Sequence, residues 1–197
     1  GRYPENGGAM IMATGATALL FLACVGVGAT ALRIAGVLEG LRRGERLPWA
    51  FALGIGLLGW ITFFPAAFGL IAPLHLAILC LACASGLYFL FRAGFLPQDM
   101  PDLDRTGWIL FAAVAIALVF DLLEGISPPA DADSLAYHFA LPKQFLAAGR
   151  LEFVPRAADG AAPMLLHMTY LIALGLGGET TLTLWAMVSG WMPALLV

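Results

Sequence analysis

Long apolar runs separated by short polar breaks set the pattern of this sequence. The runs cover about Ala9 to Leu32, Trp49 to Ala72, Leu74 to Phe91, Gly107 to Gly125, Ala161 to Leu176 and Thr180 to Val197. An α-helix rises 1.5 Å per residue and a hydrocarbon core is about 30 Å thick, so roughly 20 apolar residues make one crossing. The first four runs meet or approach that length, the fifth is short and the sixth barely suffices. The pattern predicts an all-α, polytopic transmembrane bundle of about six helices.

Local signals refine the picture. Gly54, Gly56 and Gly59 in the second run would let neighbouring helices approach closely. Pro65 is expected to kink that helix and Pro73 to make the turn into the third. Most of the five tryptophans, Trp49, Trp60, Trp108, Trp185 and Trp191, fall near predicted helix ends, where interfacial tryptophans gather. "QDMPDLD", residues 98–104, reads as an acidic, solvated turn. No repeat at a fixed period is found.

The longest polar break, 126–160, has its own pattern. Pro128-Pro129 ends the fourth helix. Asp133 suits an N-cap before a short helix over Ser134 to Leu141. Pro142 suits the first position of a second short helix that Gly149 stops. Leu135, Phe139, Pro142 and Leu146 form one apolar edge, so both helices are expected to lie along the membrane surface.

Composition strengthens the membrane reading. Hydrophobic residues make up 61% of the chain, charged residues 12%, about half the share in soluble domains. Mean hydropathy is +0.89. A net charge of -3 with no basic, aromatic-rich cluster excludes a nucleic-acid partner. Arg33, Arg42, Arg43 and Arg46 share the first break, and Arg92 and Arg105 the third. Lysine and arginine near helix ends mark the cytoplasmic side, which would hold these six. Arg2, Lys143, Arg150 and Arg156 would then be outside, making 126–160 extracytoplasmic, or periplasmic in a bacterial inner membrane.

The first apolar run exceeds the 7 to 15 residues of a signal-peptide core, and its flank holds both Arg2 and Glu5, so a retained helix is expected. The sequence begins at Gly1 and ends within an apolar run at Val197, which reads as a chain cut at both ends. Cys24, Cys80 and Cys83 lie in apolar runs. Two thiolates at Cys80-x-x-Cys83 make only half a zinc site, so all three read as packing residues.

Candidate chemistry concentrates in the long break. Of Asp131 and Asp133, one carboxylate could serve as general base, or both could hold a divalent cation against phosphate. Spacing alone favours a cap at Asp133 and a solvated Asp131. "DADSLAYHFALPKQFLAAGRLEFVP", followed by "PMLLHMTYLIALGLGG", resembles the first extracytoplasmic loop of GT-C-type, polyprenyl-phosphate-dependent glycosyltransferases. The similarity is strongest to the superfamily of protein O-mannosyltransferases and lipid A aminoarabinose transferases, and covers roughly the last third of the chain. It implies transfer of a sugar from a polyprenyl-phosphate donor at the outer face of the membrane. It also implies Asp133 or Asp131 as base, Tyr137 and His138 near donor or acceptor, and Lys143 and Arg150 as positive charge for the phosphate. On this reading residues 1–106 are three preceding helices with the basic loop, and 107–197 are the part like the family, with activity expected where the chain continues beyond 197.

Other polar residues are weaker candidates. Asp121 and Glu124 share a similar face near the outer end of the fourth helix, and would either line the site or sit at the interface. His75 and His167 would ligate a haem or chlorophyll only if their helices faced each other. The rival to the enzyme is a non-catalytic accessory subunit of a larger respiratory or photosynthetic membrane complex, derived from such an enzyme. A transporter fits less well, because no charged residue lies at mid-bilayer.

Overall fold

The computed structural model describes residues 7–96, 102–127, 138–155 and 165–194. Its described elements are seven helices: α1 (Gly7–Ile34), α2 (Arg43–Ala67), α3 (Pro73–Ala84), α4 (Leu87–Ala93), α5 (Arg105–Gly125), α6 (Ala140–Ala148) and α7 (Leu165–Ala194). No strand occurs among the described residues. The expected Ser134–Leu141 helix and its Asp133 cap lie largely outside the described residues.

Helices α1 and α2 pack antiparallel through small residues. A Cβ on Gly54 would strike the Cys24 carbonyl and lie 3.2 Å from the Gly28 amide nitrogen. One on Gly28 would strike the Ala50 carbonyl. Gly59 likewise meets the Leu165 carbonyl at the start of α7, whereas a Cβ on Gly56 would meet open space. Of the three glycines expected to permit close approach, two do so. Gly54→Ala should therefore lower unfolding free energy in detergent by about 1–3 kcal/mol, the usual range for overpacking. Gly56→Ala should leave it unchanged or raise it by up to about 1 kcal/mol; equal losses at both positions would contradict this packing.

Helix α2 continues through both Pro48 and Pro65 and ends at Ala67, where Gly69 turns the chain at φ 76°. The third apolar run is one path in two pieces, α3 and α4, joined at Ser85-Gly86. Gly86 allows that joint to lie against the Gly26 carbonyl and Thr30 of α1. Cys24 and Cys80 are buried and Cys83 half-buried, all three as free thiols in the packing.

Helix α7 is long enough for one crossing by length alone, but it folds back. Gly178 takes φ 78° and ψ −163°, a conformation outside the helical region that glycine alone adopts readily. The Trp185 indole N–H donates to the Thr169 hydroxyl at 2.9 Å. In a straight helix those residues would stand about 24 Å apart. The two arms, 165–177 and 179–194, therefore form a hairpin with its apex at Gly178. They correspond to the separate fifth and sixth apolar runs.

The hairpin sits at the centre. Trp185 is fully buried, with its ring 5.9 Å from that of Phe51 on α2, which stacks on Phe21 of α1 at 5.4 Å. One continuous core joins α1–α4 to α6 and α7 across residue 106. Helix α5 stands to the side, packing on α7 near Gly125 and Met187.

Four helical stretches, 8–34, 43–67, 73–93 and 105–125, are long and apolar enough to cross a membrane, and 165–192 matches them in length and composition but is folded back at Gly178. Their outer faces carry exposed Ile11, Leu74, Phe91, Ile109 and Phe120, all more than half accessible. Contiguous apolar surface on this scale is disfavoured in water and normal against lipid tails. The chain is an integral membrane protein built as a helical bundle.

Candidate functional site

The site forms where α6 meets the hairpin. Helix α6 begins after Phe139, with Pro142 in its first turn, where a missing N–H breaks no helical hydrogen bond. It stops at Gly149, which is left-handed at φ 72°. Gly149 N–H donates to Leu146 O and Arg150 N–H to Phe145 O, both at 3.2 Å, the paired bonds of a Schellman cap. Pro142 is thus the third helical residue rather than the first, and Gly149 is the stop that was expected.

Leu141, Pro142 and Phe145 are buried, and Phe139 is buried just ahead of them. Phe139 meets Tyr170 of α7 edge-on, with ring centres 5.7 Å apart. Leu146 lies against Gly175, within 3.4 Å of where a Cβ would stand. Beyond α6, Leu151 N–H donates to Ala66 O at 3.1 Å, tying the segment to the end of α2. Helix α6 is thereby docked on the bundle at the end where α2 finishes and α3 begins.

Two polar pairs join α6 and its leading residue to the hairpin. Nδ1 of His138 and Nε2 of His167 are 3.0 Å apart. The ring planes differ by 19° with centres 5.0 Å apart, so the imidazoles meet nearly edge to edge and share a proton. A metal ion in line between them would need the nitrogens about 4 Å apart. His167 also packs against Tyr170 at 5.8 Å. The second pair is Lys143 Nζ to Glu179 Oε1 at 2.6 Å, directly after the hairpin apex. Both side chains are nearly half exposed, so water screens the pair and its net contribution is about 0–1 kcal/mol. A double-mutant cycle of Lys143→Met with Glu179→Gln should return a coupling below about 1 kcal/mol; a larger value would mean the pair is sealed from water.

The sequence candidates fall as follows. Asp131, Asp133 and Tyr137 lie outside the described residues. His138 and Lys143 are both brought to the hairpin, and Arg150 is exposed just past α6, beside the Gly69 turn. Asp121 accepts the Trp191 indole N–H at 2.6 Å and Glu124 is exposed. A cavity of 530 Å³ between α1, α5 and α7 is walled there by Leu122 and Ile126 rather than by either carboxylate. His75 is exposed in the first turn of α3, and its neighbour Leu76 meets the hairpin at Gly175, about 12 Å along the arm from His167. No group of three or more His, Cys, Asp or Glu is placed to hold a metal ion among the described residues.

Sequence reasoning missed two partners. Nothing in local spacing joins His138 to His167 or Lys143 to Glu179: the first link depends on how α6 lies along the first arm of the hairpin, and the second on the position of Glu179 just past its apex. Asp104 was read as part of a solvated turn, yet its Oδ1 accepts the Gly107 N–H at 2.7 Å and caps α5. An aspartate immediately before an apolar run was the available signal.

The fold and this site define a polytopic helical membrane protein with a short helix docked at one end of its bundle. No family model matches the chain, and no curated protein or solved structure matches it either.

Proposed function

We propose that the chain belongs to a membrane glycosyltransferase of the GT-C type, moving a sugar from a polyprenyl-phosphate donor to an acceptor at the outer face. The observation that carries the reading is the docking of α6. The helix that follows the Asp131-Ala132-Asp133 segment is docked on the bundle by buried Phe139, Leu141 and Phe145, with His138–His167 and Lys143–Glu179 as its polar contacts to the hairpin. A reacting loop needs such a rigid neighbour to hold donor and acceptor in one geometry.

The distribution of charge supports the orientation. Arg33, Arg42, Arg43, Arg46 and Arg92 gather at the opposite end of the bundle from α6. By the positive-inside rule that end is cytoplasmic, and α6 with the 126–160 loop is periplasmic in a bacterial inner membrane.

In the proposed reaction Asp133 or Asp131 takes the proton from the acceptor's hydroxyl or amine. The freed lone pair attacks the anomeric carbon from the face opposite the phosphate, and the bond from that carbon to the phosphate oxygen breaks with inversion. The polyprenyl phosphate leaves carrying the electron pair. Lys143, held through one N–H by Glu179, retains two donors for a phosphate oxygen, and Arg150 or a divalent cation adds charge. Tyr137 and His138 are assigned by the same reading to contacts with donor or acceptor.

The test is incubation of the protein, in native membranes and purified, with a radiolabelled polyprenyl-phosphate sugar. Release of polyprenyl phosphate coupled to acceptor labelling supports the reading. A second reading, a non-catalytic accessory subunit of a larger membrane complex, is favoured by α5, none of whose spanning window is buried. Failure of transfer in native membranes, with stable co-purification of other membrane subunits, would support that reading instead.

A further inference from the structure

At the arginine-rich end, α1, the 35–42 turn and α4 enclose a second cavity of 310 Å³, lined by Arg33, Glu39, Tyr88, Phe89, Arg92 and Ala93. We propose that this cavity binds the headgroup of an anionic phospholipid. The proposal is independent of the glycosyltransferase reading and of the site around α6.

Charge balance is the first argument. Residues 33–46 and 88–94 hold five arginines, Arg33, Arg42, Arg43, Arg46 and Arg92, against two glutamates, Glu39 and Glu45, a surplus of three positive charges. Glu39 pairs with Arg33 at 3.1 Å, and Glu45 accepts the Arg42 backbone N–H at 3.0 Å. Arg92 has no hydrogen bond or ion pair among the described residues.

Arg46 adds the second argument. It is 8% exposed and lies behind the cavity wall, donating to backbone carbonyls of both Glu39 and Ala93. These carbonyls satisfy its hydrogen bonds but cancel none of its formal charge. A phosphate in the cavity would sit against Arg33 and Arg92 with the Arg46 charge behind, a setting in which guanidinium and phosphate bind strongly.

The third argument separates a lipid from a free ion. The cavity opens at the ends of two apolar helices, and exposed Tyr88 and half-buried Phe89 line it on α4. Aromatic residues at this position mark the interfacial zone, where headgroups lie and acyl chains run back along the helix. A lipid satisfies both the arginines and the aromatic flank, whereas inorganic phosphate satisfies only the arginines.

Native mass spectrometry of the full chain in detergent would test the proposal, using phosphatidylglycerol and phosphatidylcholine with identical acyl chains. The expected result is at least tenfold tighter retention of phosphatidylglycerol, lost about tenfold in Arg92→Gln and weakened by 0.5 M salt. Because Arg92 is exposed and bonds no described residue, its helical signal and melting temperature should not change. Equal retention of the two lipids would overturn the proposal, as would unchanged phosphatidylglycerol affinity in Arg92→Gln. Displacement of the lipid by millimolar inorganic phosphate would overturn the lipid assignment in favour of a free-anion site.

Discussion

Arg46→Ala is expected to lower the unfolding free energy of the bundle by on the order of 4 kcal/mol, a loss as large as truncating a buried aromatic side chain. Arg46 Nε donates to Leu41 O at 3.1 Å, and one terminal nitrogen donates to Glu39 O at 3.1 Å. The other donates to Gly94 O at 2.8 Å and to Ala93 O. One guanidinium thus joins the turn after α1, the start of α2 and the end of α4. The Ala93 and Gly94 carbonyls close a helix C-terminus, where the dipole's negative end favours a cation. Leaving a buried carbonyl unsatisfied costs about 1–3 kcal/mol, and water entering at the bundle's end would relieve some of the four.

Lysine cannot substitute fully. Its ammonium is a point charge that would have to serve acceptors spread along a planar fork. Arg46→Lys should recover less than half of the loss, and Arg46→Met, which keeps bulk without donors, almost none. Denaturant unfolding in detergent, followed by circular dichroism, measures all three. A loss below 1 kcal/mol in Arg46→Ala would show that water replaces the guanidinium without cost.

That interaction marks the limit of what the sequence discloses. The first four apolar runs were enough to find spanning helices, because lipid demands long apolar stretches with internally satisfied backbones, while the fifth and sixth are two arms of one hairpin. The edges moved for identifiable reasons. The second helix was expected from Trp49 but begins at Arg43, since Arg46 turns inward to backbone carbonyls and its charge no longer marks a loop. Composition treats Arg46 like the exposed Arg42 and Arg43, and its acceptors at 93 and 94 are 47 and 48 residues away.

The site was legible in part for the same reason. The stop at Gly149 follows from local chemistry that the sequence displays. The pairing of His138 with His167 spans 29 residues and depends on how α6 lies along the hairpin. Glycine spacing in α2 could show that close approach was available, but not which glycines faced a neighbour. Gly54 and Gly59 do, and Gly56 does not.

For the proposed transferase, Asp133→Asn should reduce turnover by about a thousandfold, within the range of a lost general base. The substitution separates the two roles that spacing left open at this residue. Asparagine caps a helix about as well as aspartate, because its side-chain oxygen still accepts the amide of the first turn. It cannot take a proton from the acceptor. If Asp133 only caps a helix, Asp133→Asn keeps both stability and turnover, while Asp133→Ala loses about 1 kcal/mol. If it is the base, Asp133→Asn keeps the melting temperature and loses the reaction. Asp131→Asn is the parallel test, and normal turnover in both single variants would end the assignment of either as base. A chelator then divides the remaining possibilities. Carboxylates that hold a divalent cation lose activity on its removal and regain it with added metal, because the cation carries the charge that the leaving phosphate needs. A carboxylate acting as base alone is indifferent to the chelator and responds instead to pH. Its turnover falls as the solution is acidified through the carboxylate's own protonation, because the protonated form has no lone pair to accept the acceptor's proton.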